Sequence, residues 1–505
     1  MKKKKVLSML ALTGILVAST SLNAFACTGV YVGKDVSTDG TTLVSRSEDI
    51  GSGYTKRFVV HKGETHKKGS MFKDAYGFSM PYPTKTFTYS AVEDSTKYGE
   101  GKRPYGEVGF NEYGVGVTAT VSASPNESAK KADPLVKTGI CEISLTEVIL
   151  MQAKTAKEGV QAVANIMDKY GSGEGNIIMI GDAKETWYME MLTGHQYAAI
   201  KMPNDKAAVF PNTFMLGTID VNSKDVIVSK DLVNLPKENG FLVTKNNMIH
   251  VSKTYGVGLT DGNLYRAWGG LNKLKGAVQE FSTDMEIDLF QTPSKKISIN
   301  DVKNILSYRY EDTKFNVNLP ENSNIRPIGT PNQAECHIMS FDNTAKNKVA
   351  GVQWLAMGNS EFSIYLPSYT ALMTTTHKAY QKDTINYDKD SAYWAFRSVA
   401  TLCALDREQY GASVKEYYDK YQKALIEAQA KIAPQMEKLY NKDPKAAAKK
   451  ANELSKALTE DTLKNINSIH SELVKYIAAS EGKEQKAPFV PTVAKNNIMP
   501  NYTFK

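Results

Sequence analysis

The sequence is poor in the residues from which many catalytic and structural frameworks are built. Among 505 residues there are 4 cysteines, 7 histidines and 4 tryptophans. Cys27, Cys141, Cys336 and Cys403 are widely spaced, contain no C-x-x-C pair and are odd in number once Cys27 is set aside, so they form no disulfide framework. The histidines offer no H-E-x-x-H or other ligand spacing. His61 and His66 sit in a lysine-rich stretch, while His195, His250, His337, His377 and His470 are isolated, and each reads as structural or solvated. There is no phosphate loop, dinucleotide fingerprint, internal repeat or low-complexity linker, so no metal and no cofactor is expected. Beyond the N-terminus no apolar run approaches the roughly 18 residues of a membrane span. A strong charge bias is missing too. Removing the four lysines Lys2 to Lys5 from the 62 Lys and Arg leaves 58 against 54 Asp and Glu, which is no footprint for nucleic acid. With 42% hydrophobic and 23% charged residues, disorder is excluded and the chain is long enough for a large core.

What is present starts at the N-terminus. Four lysines precede an apolar run from Val6 to Val17, a polar segment, and then Ala24-Phe25-Ala26 before Cys27. A basic start, a short apolar stretch and an A-x-A site predict a secretory signal peptide over residues 1–26, cleaved after Ala26, and a secreted or cell-surface protein. An uncleaved anchor is disfavoured by the shortness of the run.

Cleavage there makes Cys27 the first residue of the mature chain. Its thiol is then a nucleophile next to its own α-amine, whose unperturbed pKa of about 7.7–8.0 suits it to take the thiol proton near neutrality. One residue supplies nucleophile and base, as N-terminal threonine does elsewhere. Two other readings stay open. Cys27 can be the acylated cysteine of a surface lipoprotein, although Ala24 and Phe25 match that signal poorly, or an ordinary secreted cysteine. A papain-like Cys–His pairing also stays open, but nothing around Cys141, Cys336 or Cys403 resembles its local signature. Downstream, residues 28–33 read as a strand, Asp39-Gly40 as a turn and residues 41–46 as the returning strand. This hairpin would bring Arg46 and Asp49 back beside Cys27, the arginine to favour thiolate or hold a carboxylate, the aspartate to orient the α-amine. On spacing alone the two read rather as a solvated surface pair.

These residues resemble the start of the N-terminal-nucleophile hydrolases, and more closely the cysteine dipeptidases of the dipeptidase A type, relatives of bile-salt hydrolase and penicillin V acylase. Cys27-Thr28, Asp39-Gly40 and Arg46-Ser47-Glu48-Asp49 carry the likeness. Further matches are Gly109-Phe110-Asn111-Glu112-Tyr113-Gly114-Val115, the run Asn176 to Asp182 with Trp187 and Glu190, Val209-Phe210-Pro211-Asn212, Tyr265-Arg266-Ala267-Trp268-Gly269-Gly270-Leu271, and Gln353-Trp354 through Pro367-Ser368-Tyr369. The resemblance extends from Cys27 to about residue 400. It implies hydrolysis of dipeptide amide bonds through an acyl-enzyme on Cys27, with Arg46 and Asp49 holding the reacting centre. Asn111 and Asn212 become candidates for oxyanion contacts and Arg266 a second positioning cation. Read without it, both asparagines are turn residues and Arg266 packs between aromatics. Linear acyl amides of the bile-salt or penicillin type are the alternative substrates, and homo-oligomerisation stays open.

Ser144-x-x-Glu147 and Thr155-x-x-Glu158 read as capping boxes, the second before Val160, Val163, Ile166, Met167 and Tyr170 at helical spacing, with Gly171 as the stop. Strand-like runs follow at 176–181, 186–192, 195–202 and 207–211. The expected fold is α+β, which the resemblance sharpens to a four-layer αββα sandwich over residues 27–390. Amphipathic stripes from Val414 to Leu439, with Pro434 as a kink, and from Leu454 to Ile477 predict a docked helical extension over 391–485, followed by an extended tail, 486–505.

Overall fold

A computed structural model describes residues 26–51, 54–98, 104–345, 348–480 and 487–504. The signal peptide expected over residues 1–26 therefore lies, but for Ala26, outside the described residues. The architecture is a sandwich of two antiparallel sheets. The first has six strands, in the order Ala207–Phe210, Ala26–Val32, Thr42–Asp49, Gln333–Phe341, Gly351–Met357 and Leu366–Ser368. The second has eight, in the order Val226–Val228, Tyr197–Lys201, Thr186–Met191, Asn176–Gly181, Gly116–Ser122, Gly106–Phe110, Tyr89–Asp94 and Lys56–His61.

Both faces of the six-stranded sheet are covered, which is why the strands Ala26–Val32, Thr42–Asp49 and Gln333–Phe341 are buried along their whole length. Register then decides which residue faces which layer. Cys27 lies opposite Glu48, Arg46 opposite His337, and Glu335 opposite Glu48, so these five share one face. Further along that face Met339 and Phe341 meet Gly116 of the second sheet, so it is the inner face. Ala26, Thr28, Ser47 and Asp49 point the other way, toward the helices.

Helices close both outsides. Glu142–Leu150 and Ala156–Tyr170 pack on the eight-stranded sheet, where Ile149, Val160, Val163 and Met167 join Ile178, Ile180 and Met189 in one core. Each such side chain contributes roughly 1.5–3 kcal/mol by leaving water. Thr155 caps the second of these helices by accepting from the Glu158 N–H, and Gly171 ends it at φ +74°. Ser144, by contrast, is not a cap. The helix begins at Glu142, whose N–H is met by the distant Glu174 carboxylate, and Ser144 is buried in its first turn with its hydroxyl on Asp74. On the other outside lie Asp261–Lys275, Ile299–Leu306, Ala392–Leu405 and two long helices, Ala412–Lys442 and Pro444–Ser480. The first long helix continues through Pro434, and Leu454 to Ile477 form one helix. Val414, Tyr418, Leu425, Leu458 and Ile469 belong to the same core as Val30 and Ile338 of the sheet, so the extension is packed as part of the body. The tail, expected to be extended, carries a short helix at Thr492–Lys495. No helix among the described residues is long and apolar enough to cross a membrane.

One close approach positions the site. A Cβ on Gly29 would lie 2.2 Å from the Phe210 ring, so only glycine lets the edge strand Ala207–Phe210 and the Pro211-Asn212 that follow it lie this near Cys27.

Candidate active site

Cys27 is the second residue of its strand and is 2% exposed. Its thiol is met by Arg46 Nη1 at 3.1 Å and by the backbone N–H of Asp49. Its backbone N–H donates to Asn212 Oδ1 at 2.9 Å. The same Asn212 oxygen accepts from Arg266 Nη2 at 2.9 Å, and Arg266 Nη1 donates to the Cys27 carbonyl at 2.5 Å. Three chain segments far apart in sequence, the strand Thr42–Asp49, Asn212 and Arg266, thus converge on one residue.

On the inner face a charge network holds Arg46. Its Nη2 pairs with Glu107 Oε2 at 2.8 Å, and its Nε donates to Thr118 Oγ1 at 3.1 Å. Glu335 lies 3.7 Å from Arg46 and 3.0 Å from His337 Nδ1, and the other nitrogen of His337 is 2.8 Å from Thr118 Oγ1. A ring of four side chains therefore fixes the guanidinium in place. Behind it Lys56, with a side chain 0% exposed, reaches Glu48 at 2.6 Å, Glu107 at 2.7 Å and Asp94 at 2.5 Å. Burial alone would weaken the Arg46 charge, but Cys27, Glu107, Tyr105 and Glu335 raise its pKa well above the ordinary range. Burial and the Glu107 charge raise Glu48 well above the ordinary carboxylate range, against the pull of Lys56. Glu107 goes the other way: burial works against its charge, yet Lys56 and Arg46 lower it. Carboxylate oxygens of Glu48, Glu107 and Glu335 lie within 4.8 Å of one another, a spacing that would suit a metal ion, but Lys56 and Arg46 already bring their own charges to them.

The thiol itself is not lowered while Ala26 precedes it. Burial pushes it up to about 12, with Arg46 pulling down, the Asp49 and Glu48 carboxylates pushing up, and the Asp49 N–H pulling down. The outer face is assembled differently. Arg266 is buried, and its partners are the carbonyls of Gly262 and Cys27, the Thr28 hydroxyl, and the side-chain oxygens of Asn212 and Asn263. Burial and the nearby Arg326 charge pull its pKa down to about 10, against Asp49. The Asp49 carboxylate accepts from Ser47 Oγ at 2.9 Å and from Arg326 Nη2 at 2.8 Å.

Of the residues singled out in the sequence, Cys27, Arg46, Asp49, Asn212 and Arg266 meet here. Asp49 touches Cys27 through its backbone, and it is Asn212 that takes the Cys27 nitrogen. Asn111 is elsewhere. Its amide nitrogen donates to the Leu150 and Ala153 carbonyls and its oxygen accepts from the N–H groups of Tyr113 and Val115. That amide thus ties the turn after Phe110 to the end of the helix Glu142–Leu150, and the Phe110 ring packs on Phe341, at the opposite end of the Gln333–Phe341 strand from Glu335. Lys56, Glu107, Thr118, Arg326, Glu335 and His337 were not singled out. Their signal in the sequence is charge at alternating positions within otherwise apolar strands, Arg46 with Glu48 and Glu335 with His337, which places both members on one face. Cys141, Cys336 and Cys403 are free thiols.

The profile of Peptidase family C69 matches residues 26–422. A "Probable dipeptidase B" of Streptococcus pyogenes serotype M1 is 35% identical, covering 93% of this chain and 97% of its own. A "Probable dipeptidase" of Latilactobacillus sakei is 30% identical over 81% of this chain and 86% of its own. Among solved structures, a mutant conjugated bile acid hydrolase from Clostridium perfringens aligns at 13% identity and a TM-score of 0.25, over 66% of this chain and 89% of that one.

Proposed function

Because the chain belongs to peptidase family C69 and is a cysteine-type dipeptidase, we propose that it acts after export, on dipeptides, through an acyl-enzyme on a Cys27 exposed by cleavage after Ala26. The observation that carries this reading is the double hold on Cys27: its sulfur lies 3.1 Å from Arg46 and its nitrogen 2.9 Å from Asn212, directly after an A-x-A sequence. While Ala26 is attached that nitrogen is an amide without useful basicity, and burial keeps the thiol protonated. Once freed, it is an amine next to the thiol, already aimed by Asn212.

The α-amine takes the thiol proton, and Arg46 and the Asp49 N–H share the charge left on sulfur. The thiolate attacks the scissile carbonyl, and the Asn212 amide nitrogen is the donor suited to the oxyanion. The α-ammonium returns its proton to the leaving amine, and water then releases the acyl group. Arg266 holds the Cys27 carbonyl and the Asn212 oxygen, so it positions both nucleophile and base. A lipid on the Cys27 sulfur would have to displace Arg46 from a buried site, which favours an enzyme over a surface anchor.

The test is a protein without its leader that carries a two-residue extension before Cys27. It is expected to fold and to lose activity by roughly 10³-fold, as loss of a nucleophile does in other catalytic units. Proteolytic trimming to Cys27, checked by N-terminal sequencing, restores turnover. Equal activity of a demonstrably intact extension overturns the mechanism.

A further inference from the structure

The outer face of the nucleophile strand carries more positive charge than it neutralises. Two guanidiniums, Arg266 and Arg326, share one carboxylate, Asp49. Arg266 is buried, and among the described residues its hydrogen-bond partners are all neutral. Arg326 gives Asp49 a single nitrogen, Nη2, at 2.8 Å. Its Nε is buried and has no hydrogen-bond partner among the described residues. Its side chain is nevertheless 32% exposed, so the guanidinium reaches solvent. A buried arginine with no carboxylate of its own is costly unless something else supplies the negative charge.

Arg326 is also seated. A Cβ on Gly262 would lie 3.0 Å from the Arg326 Cβ and 3.1 Å from its Cδ, so the arginine stem lies close across the first turn of the helix Asp261–Lys275. The Arg326 carbonyl accepts from the Tyr310 hydroxyl at 2.9 Å. The backbone register locates the carboxylate that this guanidinium holds. Asp49, its partner, lies opposite Ala26, the residue before the nucleophile. When Ala26 leaves with the leader, the strand position beside the Asp49–Arg326 pair is vacated, next to the new α-amine.

That is where a leaving residue must lie. The α-amine returns a proton to the leaving nitrogen, and in a dipeptide the free carboxylate is two bonds beyond that nitrogen. Resting on the acyl-enzyme reading above, the geometry points to Arg326 as the residue that binds the free C-terminal carboxylate of the dipeptide. Guanidinium donors not used by Asp49 match a carboxylate in charge and shape. A longer peptide presents a neutral amide at this point, so the same contact selects chains of two residues.

The experiment compares one dipeptide with its C-terminal carboxamide, which has the same scissile bond and no terminal charge. For the wild-type enzyme the ratio of kcat/KM, acid over amide, is expected at about 30 or more, the size of a charged hydrogen-bonded contact. In Arg326→Gln the ratio falls toward one, mainly through KM for the acid, and in Arg326→Lys it is intermediate. Losses equal for both substrates, leaving the ratio unchanged, would mean that Arg326 merely positions Asp49, and would overturn the assignment. So would a wild-type ratio near one. If Arg326→Gln does not fold, inhibition of the wild type by a free amino acid against its amide gives the same comparison, with equal inhibition counting against the carboxylate site. Cleavage of neither substrate by a protein with a confirmed N-terminal Cys27 sinks the acyl-enzyme reading instead, so the two failures are distinct.

Discussion

The two faces of the strand Thr42–Asp49 handle charge in opposite ways. On the inner face Arg46 and Lys56 are surrounded by Glu48, Asp94, Glu107 and Glu335, ion against ion in a space closed by two sheets. On the outer face Arg266 is held by carbonyls, a hydroxyl and asparagine oxygens. The difference teaches what each cation is for. A guanidinium locked among carboxylates cannot move and is suited to face one fixed atom, the Cys27 sulfur. A guanidinium among neutral acceptors leaves its charge available to whatever enters.

The comparison is tested most severely by removing the cations in turn. Arg46→Met is expected to lower kcat/KM by about 10³-fold and to destabilise the fold by about 3–5 kcal/mol, because Glu107 and Glu335 lose a buried partner. Arg266→Met should also slow turnover, since Asn212 and Cys27 lose a common anchor, but it orphans only neutral acceptors, at about 1–3 kcal/mol. Denaturant unfolding of both variants measures the gap. A larger stability loss for Arg266→Met would break the distinction between the faces.

A smaller effect separates turn from site. Asn111→Ala is expected to cost about 1–3 kcal/mol, from stranded Leu150 and Ala153 carbonyls and the N–H groups of Tyr113 and Val115, with kcat/KM in the folded protein within a factor of about two. A hundredfold kinetic loss at unchanged stability would return Asn111 to the oxyanion role.

The smallest effect is on pH. Burial raises Asp94 to about 6, with Lys56 pulling down and Glu107 pushing up. A carboxyl whose pKa is higher in the folded state binds its proton more tightly there than in the unfolded chain. Its contribution therefore declines as pH rises from about 4 through about 6, by at most about 3 kcal/mol. Asp94→Asn removes that slope, and the difference in Tm between wild type and variant, followed from pH 4 to 7, reads it. A difference that does not change with pH would place Asp94 outside the titrating network.

The strands were legible because the sequence alternates or runs apolar between clear turns, and residues 176–181 form the strand expected there. The A-x-A-Cys junction, a local signal, was enough to single out Cys27, the residue on which Arg46, Asp49, Asn212 and Arg266 converge. The partners of Arg46 were not legible, because Glu107, Thr118 and Glu335 come from three other strands, and their pairing follows from sheet order rather than from spacing. Asn111 misled because a motif alone does not say where an amide points: its oxygen serves the turn of G-F-N-E-Y-G and its nitrogen the Leu150 and Ala153 carbonyls. Ser144 misled similarly, since the start of its helix is met by Glu174 from another part of the chain.

Gly29 has a consequence that reaches past its own strand. The Phe210 ring fills the space where its side chain would be, so the residue acts as a spacer that sets how far Asn212 stands from Cys27. A methyl group there would touch neither Cys27 nor Asn212, yet it would lever the edge strand outward and shift Asn212 from the Cys27 nitrogen by the width of that group. For anyone redesigning this enzyme, position 29 behaves as a dimension to be preserved, while the exposed rim around Arg326 is the place where specificity can be rewritten.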